Sequence, residues 1–260
     1  MTASSSPPYL SSVPNFRDMG GLRTSNGRSL RHGLVYRSQD FSTISDADLQ
    51  HLQDLNAQLL CDIRSDSERQ QHPNRWPIDG TSTFNLNISA DLRANHQAIT
   101  RLLSGTPGKA QAEQAMLATY RIFPQAFELR LAQMFERILG GGQLPLIFHC
   151  AAGKDRTGFI AAVLLCALGV PKNIIYADYL LSGERWKGEH SEAAIRRYLA
   201  PLCDQAPSTE VIRILSQVDS RYLDAAFEVI EQNYGGMEAY LIVIGLDQLA
   251  REQLCTLLLN

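Results

Sequence analysis

The chain has 260 residues, of which 45% are hydrophobic and 20% charged, values typical of a folded globular protein. Its formal net charge of −3 excludes a general attraction to nucleic acid or anionic membranes, so any attraction for an anion must be local. No apolar run reaches the roughly 18 residues of a membrane span, and the five cysteines lack the spacing of a zinc or redox motif. We therefore expect a cytoplasmic protein without disulfides, metal or organic cofactor.

Residues 1–8 are small, polar, uncharged and unlike a secretion signal, so we expect a flexible tail over residues 1–12, followed by one domain over residues 13–260. A hairpin is predicted around Asn26 and Gly27. Apolar runs predict strands at residues 34–38, 57–63, 83–88 and 144–148. Apolar residues at helical spacing predict a helix after Ser45, helices at 120–139, 159–168, 171–181, 182–200, 209–217 and 221–234, and a last helix after Asp247. This order indicates an α/β fold with a central, mostly parallel sheet flanked by helices.

Two stretches are candidates for a helical lid over a site. Residues 89–118 are rich in Ala, Gln and Ser, with a break at 104–108, which indicates two helices and a mobile linker. Residues 182–205 are amphipathic and rich in charge. An ordinary helical connection and a solvated helix are the respective alternatives.

The most informative stretch is residues 149–158, which joins the strand at 144–148 to the helix at 159–168. A tight loop that runs from a strand into a helix N-terminus is a natural anion site, because free backbone N–H groups and the helix dipole point at it. Cys150 opens the loop and Arg156 follows six residues later. The residues expected to line the anion site are Ala151, Ala152, Gly153, Lys154, Asp155, Arg156 and Thr157.

These residue types suit phosphoryl transfer. A thiol near a helix N-terminus and an arginine is favoured as the thiolate, which is the nucleophilic form. Arg156 is a bidentate clamp for phosphate, and Thr157 is a candidate hydrogen-bond donor to the Cys150 sulfur. His149 is expected to orient loop carbonyls rather than act as a base. A nucleotide-binding loop is excluded, because Phe148 replaces its first glycine and Asp155 its Ser/Thr.

With its Cys-x5-Arg-Thr pattern, this stretch resembles the signature of the cysteine-based tyrosine and dual-specificity phosphatases. More narrowly, the chain resembles a bacterial group of these enzymes over nearly its whole length. Further similar pieces, in the expected order, are residues 15–18, 36–38, 62–65, 177–180 and 221–241. The resemblance implies hydrolysis of phosphotyrosine through a phosphorylated cysteine. A binding module without catalysis is the alternative, and the intact Cys150, Arg156 and Thr157 argue against it.

Three aspartates compete as the proton donor to the leaving group. Asp155 lies in the loop itself and is the first choice; similar loops of myotubularin-type phosphatases also carry an aspartate there. Asp62, at the end of a predicted strand, is second, with a structural ion pair to Arg64 or Arg37 as its alternative. Asp79 is a distant third, since its Trp-Pro-Ile-Asp setting departs from the Trp-Pro-Asp loop of tyrosine phosphatases.

Lys154 and Arg37 bear on the substrate and on the surroundings of the loop. In the resembling families a loop lysine accompanies activity on phosphoinositides, so we expect phosphorylated proteins and phosphoinositides as partners and substrates. The alternative is that Lys154 only pairs with an outer carboxylate. For Arg37, a surface ion pair is favoured over a place at the site. No nucleic-acid partner is expected, and the oligomeric state is left open.

Overall fold

The computed structural model describes residues 10–75, 80–88, 100–141, 143–186 and 189–260. Within them, one five-stranded sheet has the order β1-β2-β5-β3-β4. The strands are β1 Arg17–Asp18, β2 Val35–Ser38, β3 Leu59–Asp62, β4 Ser82–Asn85 and β5 Leu146–His149. Only the β1–β2 pair is antiparallel among these pairings, so the expected mostly parallel sheet is confirmed.

Helices surround this sheet, as the pattern of an α/β fold requires. They are α1 Asp46–Gln53, α2 Asp66–Gln71, α3 Lys109–Gly141, α4 Asp155–Ala167, α5 Lys172–Arg185, α6 Glu189–Leu199, α7 Thr209–Ser216, α8 Ser220–Tyr234, α9 Met237–Val243 and α10 Gln248–Leu258. The Ser45 side chain caps α1 by accepting a hydrogen bond from the Asp48 amide, as its residue type predicts. No described helix combines the length and apolar character that crossing a bilayer requires.

Strand β5 lies between β2 and β3 and is buried along its whole length. Its last residue, His149, pairs in register with both Ser38 and Asp62. Because the three strands are parallel, their carboxyl ends meet at one edge of the sheet, where α/β proteins bind ligands. The residues that follow β2, β3 and β5 are therefore gathered around Cys150.

Helix α3 contains the last ten residues of the predicted lid over residues 89–118, and the lid is not confirmed. Residues 109–118 form the first third of this 33-residue helix, and Ala112, Ala115 and Met116 are buried in the core. The predicted break at 104–108 does precede the helix, whereas residues 89–99 lie outside the described part of the chain. Alanine-rich sequence is compatible with a buried helix as well as with a linker, and packing decides between them.

The second lid candidate, residues 182–205, divides between different elements. Its first four residues complete α5, and Ser182 is fully buried. Residues 187–188 lie outside the described part, and α6 then ends at Leu199, which is also fully buried. The start of this segment therefore packs into the core, and a lid over residues 182–205 stays a prediction.

Candidate active site

The loop between β5 and α4 turns tightly against the end of β2. Gly153 has φ +69°, and a Cβ built on it would lie 2.4 Å from the Ser38 carbonyl oxygen and 2.5 Å from the Gln39 amide nitrogen. A side chain at this position would therefore clash with backbone as well as strain the left-handed conformation. The glycine allows the loop to pack against β2.

The carbonyls of five successive residues, Cys150 to Lys154, each accept a hydrogen bond. The donors, in that order, are His149 Nδ1 (3.1 Å), Asp40 N (3.1 Å), Asn15 Nδ2 (2.8 Å), Arg37 Nη2 (3.1 Å) and Gly158 N (2.9 Å). Since the N–H and C=O of a peptide point in opposite directions, holding the carbonyls outward turns the amides inward. One of them, the Gly153 amide, donates to Cys150 Sγ at 3.3 Å.

The second predicted element of the anion site, Arg156, is held by a carboxylate. Its Nη1 and Nη2 donate to Glu68 Oε2 and Oε1 at 2.8 and 2.5 Å. Burial alone would raise the pKa of Glu68, but the Arg156 charge and hydrogen bonds lower it to about 2. Glu68 is itself fixed by its reciprocal capping of α2 with Ser65. The guanidinium therefore has a defined direction before any substrate binds.

Asp155, the first choice for the proton donor, lies at the first position of α4. It accepts hydrogen bonds from Lys154 Nζ and from the Tyr120 hydroxyl, which lies 2.8 Å from its Oδ1. Burial first, and then the Asp155 charge, raise the pKa of both Tyr120 and Tyr179 well above its usual value. The two tyrosines stay protonated and share a hydrogen bond of 2.8 Å.

Lys154 is buried, and its ammonium nitrogen lies 2.8 Å from Asp155 Oδ2 and 3.4 Å from the Gln217 carbonyl oxygen. This arrangement matches the alternative in which the lysine pairs with a carboxylate. The carboxylate, however, is that of the loop rather than an outer one. The cation therefore stays beside the proposed proton donor.

Asp62, the second choice for the proton donor, forms the structural ion pair with Arg64 that the sequence analysis gave as its alternative role. Arg64 donates to it from Nε, Nη2 and the backbone amide at 2.7–3.0 Å, and the Asp62 side chain is 2% exposed. Burial would raise its pKa, but the charge and hydrogen bonds of Arg64 hold that pKa below its usual value. This geometry favours a structural carboxylate. Asp79, the third choice, lies outside the described residues.

Of the roles expected for His149 and Thr157, the structure shows the first and lacks the second. His149 is fully buried, donates to the Cys150 carbonyl and lies 3.1 Å from Asn74 Nδ2, so it orients the loop as expected. Burial lowers its pKa, which favours the neutral ring. The predicted hydrogen bond from Thr157 to the Cys150 sulfur is not formed: among the described residues its buried hydroxyl has no partner.

Arg37 corrects another expectation, that of a surface ion pair. Its side chain is fully buried, pairs with Asp178 and donates to the Gly153 carbonyl, so it supports the loop from behind. Sequence reasoning gave no role to Asn15, Arg17, Asp178 or Glu68. For Asn15 and Arg17 the available signal was local, because both are polar residues at a short strand near the carboxyl edge of the predicted sheet.

A cysteine whose sulfur accepts a hydrogen bond from a loop amide, with an arginine beside it, defines the cysteine-dependent phosphatases as the class of this protein. Comparison of the sequence with family models agrees: the tyrosine phosphatase family matches residues 8–260, and the chain belongs to that family.

Similar curated proteins come from several bacteria. The triple specificity protein phosphatase PtpB of Mycobacterium tuberculosis is 32% identical, over 90% of this chain and 92% of its own. A Cupriavidus necator protein, provisionally named a tyrosine-protein phosphatase, is 34% identical over 88% of this chain and 80% of its own. A tyrosine-protein phosphatase of Nostoc commune is 29% identical over 84% of this chain and 71% of its own length.

Proposed function

We propose that the protein hydrolyses phosphotyrosine, and in addition phosphoserine, phosphothreonine and phosphoinositides, through a phosphoryl group carried on Cys150. The observation that carries this proposal is the set of five hydrogen-bonded loop carbonyls, together with the Gly153 amide that donates to the Cys150 sulfur. Such donors bind phosphate oxygens and stabilise the charge that develops on them.

In the first step the Cys150 thiolate attacks phosphorus, a P–S bond forms and the ester P–O bond breaks. Arg156 and the loop amides hold the non-bridging oxygens, and Asp155 gives a proton to the leaving oxygen. In the second step a water attacks phosphorus, Asp155 takes its proton, and the P–S bond breaks. Inorganic phosphate leaves and the thiolate is restored.

We place Asp155 ahead of Asp62 as proton donor because of access. The Asp155 side chain is 26% exposed and adjoins Arg156, whereas the Asp62 carboxylate is enclosed and saturated by Arg64. A carboxylate held by a fixed guanidinium is costly to protonate, which disfavours acid catalysis.

The substrate range beyond phosphotyrosine rests on the lysine in the loop and on likeness to a relative named for triple specificity. Initial rates on phosphotyrosine, phosphoserine and phosphothreonine peptides and on phosphoinositides test it. If Lys154→Ala loses lipid turnover and keeps phosphotyrosine turnover, the lysine is a lipid determinant. Equal loss on both would assign it to the pairing with Asp155 alone.

The alternative is a phosphoprotein-binding module without turnover. A fluorogenic phosphate ester separates the two readings when wild type is compared with Cys150→Ser. Cys166→Ser is the matched control, because Cys166 lies on α4 outside the loop. We expect turnover to vanish in Cys150→Ser alone; equal rates in wild type and Cys150→Ser would refute the proposed function.

A further inference from the structure

Arg17 is a buried cation behind the loop, and all of its donor nitrogens are engaged. Nε donates to the Asp178 carboxylate, Nη2 donates to the Asp178 backbone carbonyl and to Ser182 Oγ, and Nη1 donates to Asn15 Oδ1 at 2.6 Å. Arg17 and Arg37 share the single carboxylate of Asp178, which leaves one net positive charge in this cluster. Burial and Arg37 lower the pKa of Arg17 to about 9, so it remains protonated at neutral pH.

Asn15 connects this cation to the loop. A guanidinium only donates and a carbonyl only accepts, so the Asn15 amide is fixed with its oxygen on Arg17 and its nitrogen on Ala152. The Asn15 Nδ2 to Ala152 oxygen distance is 2.8 Å. The same peptide unit carries the Gly153 amide, which donates to Cys150 Sγ at 3.3 Å.

Three hydrogen bonds therefore run in one direction, from Arg17 through Asn15 and the Ala152–Gly153 peptide to the sulfur. We propose that Arg17 and Asn15 are positioning residues that polarise this peptide and thereby stabilise the Cys150 thiolate. The inference rests on the proposed role of Cys150 as nucleophile.

The expected size follows from hydrogen-bond cooperativity. Bonds in a polarised chain strengthen one another by about 10–30% each, and a bond to a charged group is among the stronger ones. Weakening the amide-to-sulfur hydrogen bond by 10–30% changes the thiolate fraction by roughly 1.3- to 5-fold.

Other charges near the sulfur are left in place by changes at Asn15 or Arg17. They are Arg156, Asp155 and Lys154 around the N-terminus of α4, His149 on β5, Asp62 on β3, Asp40 after β2, Arg37 on β2 and Glu68 on α2. A shift seen in a variant at Asn15 or Arg17 is therefore measured against a constant background.

The test is the rate of alkylation by iodoacetamide as a function of pH. The label is quantified on the Cys150 peptide by mass spectrometry, so that the other four cysteines do not contribute. Asn15→Asp is nearly isosteric and keeps an acceptor for Arg17 but faces the Ala152 carbonyl with an oxygen. We expect the midpoint of the alkylation profile to move to higher pH, with a loss of about 1.3- to 5-fold in rate on its acid side. Arg17→Gln should also move the midpoint to higher pH, and Arg17→Lys should move it by a smaller amount.

Arg185→Gln is the matched control. Arg185 donates to the Phe16 carbonyl at 3.0 Å, in the same N-terminal segment but outside the chain to the sulfur. An unmoved midpoint in folded Asn15→Asp, or an equal shift in Arg185→Gln, would overturn the inference. If thermal melting shows that Asn15→Asp does not fold, the Arg17→Gln and Arg17→Lys pair decides. Failure of the proposed function looks different: wild type would keep hydrolysing after alkylation of Cys150.

Discussion

Replacing Glu68 by glutamine removes the carboxylate that directs the Arg156 guanidinium. Burial would raise the pKa of Glu68, yet the Arg156 charge lowers it from 4.5 to about 2, which corresponds to about 3 kcal/mol of stabilisation. Because the Glu68 side chain is 32% exposed, solvent screens part of this electrostatic stabilisation. We expect Glu68→Gln to cost about 1–2 kcal/mol in the free energy of unfolding at neutral pH.

The pH dependence gives this prediction its sign. A carboxylate with a lowered folded-state pKa stabilises the fold fully at pH values above its unfolded-state pKa, here 4.5. This stabilisation disappears as the pH falls toward the folded-state pKa of about 2. Urea unfolding should therefore show a gap between wild type and Glu68→Gln that narrows as pH is lowered below 4.5. Without the Glu68 carboxylate, the Arg156 guanidinium must be ordered when substrate binds. We therefore expect kcat/KM of Glu68→Gln to be about tenfold lower than that of wild type.

Asp66→Asn is the matched control for this experiment. Asp66 lies in the first turn of the same helix, α2, and pairs with Arg69 rather than with Arg156. It should leave kcat/KM unchanged. The reasoning is refuted if Glu68→Gln and Asp66→Asn behave alike in kcat/KM, or if the stability gap of Glu68→Gln does not depend on pH.

Three further substitutions have defined outcomes. Gly153→Ala should destabilise the fold by about 2 kcal/mol or more and abolish turnover, because its Cβ would meet β2 backbone; a stable, active variant would contradict this. Asp155→Asn should lower kcat/KM, which reports transfer to the sulfur, about 10²-fold on phenyl phosphate but little on p-nitrophenyl phosphate, whose leaving group needs no proton; equal losses in kcat/KM would exclude it as the acid. Asp178→Asn should cost about 3–5 kcal/mol in urea unfolding, because two buried arginines lose their counter-ion, and a loss under about 1 kcal/mol would show that they do not depend on it.

Sequence reasoning succeeded where local residues determine the structure. The apolar run before Cys150, the glycine within the loop and the apolar run after it predict strand, turn and helix, and β5 and α4 confirm them. The cap at Ser45 is likewise local. The short α9, Met237–Val243, was missed, since seven residues give little periodic signal.

The parts that failed depend on contacts between distant residues. Arg156 forms its ion pair with Glu68, which is 88 positions away in the sequence, and Arg37 pairs with Asp178, which is 141 positions away. An arginine at a strand end is usually solvated, so only the partner makes its burial favourable. Glu68 already has a local explanation as the reciprocal cap of Ser65, and nothing in that pattern reveals its second role.

The central claim is that the phosphoryl group passes through the sulfur of Cys150. Rapid acid quenching during turnover of a phosphotyrosine peptide, with Asp155→Asn used to slow breakdown of the intermediate, tests it by mass spectrometry of the proteolysed protein. We expect one phosphoryl group on the Cys150 peptide of Asp155→Asn, and none when Cys150 is replaced by serine. A phosphoryl group on another residue, or undiminished turnover by Cys150→Ser, would contradict it.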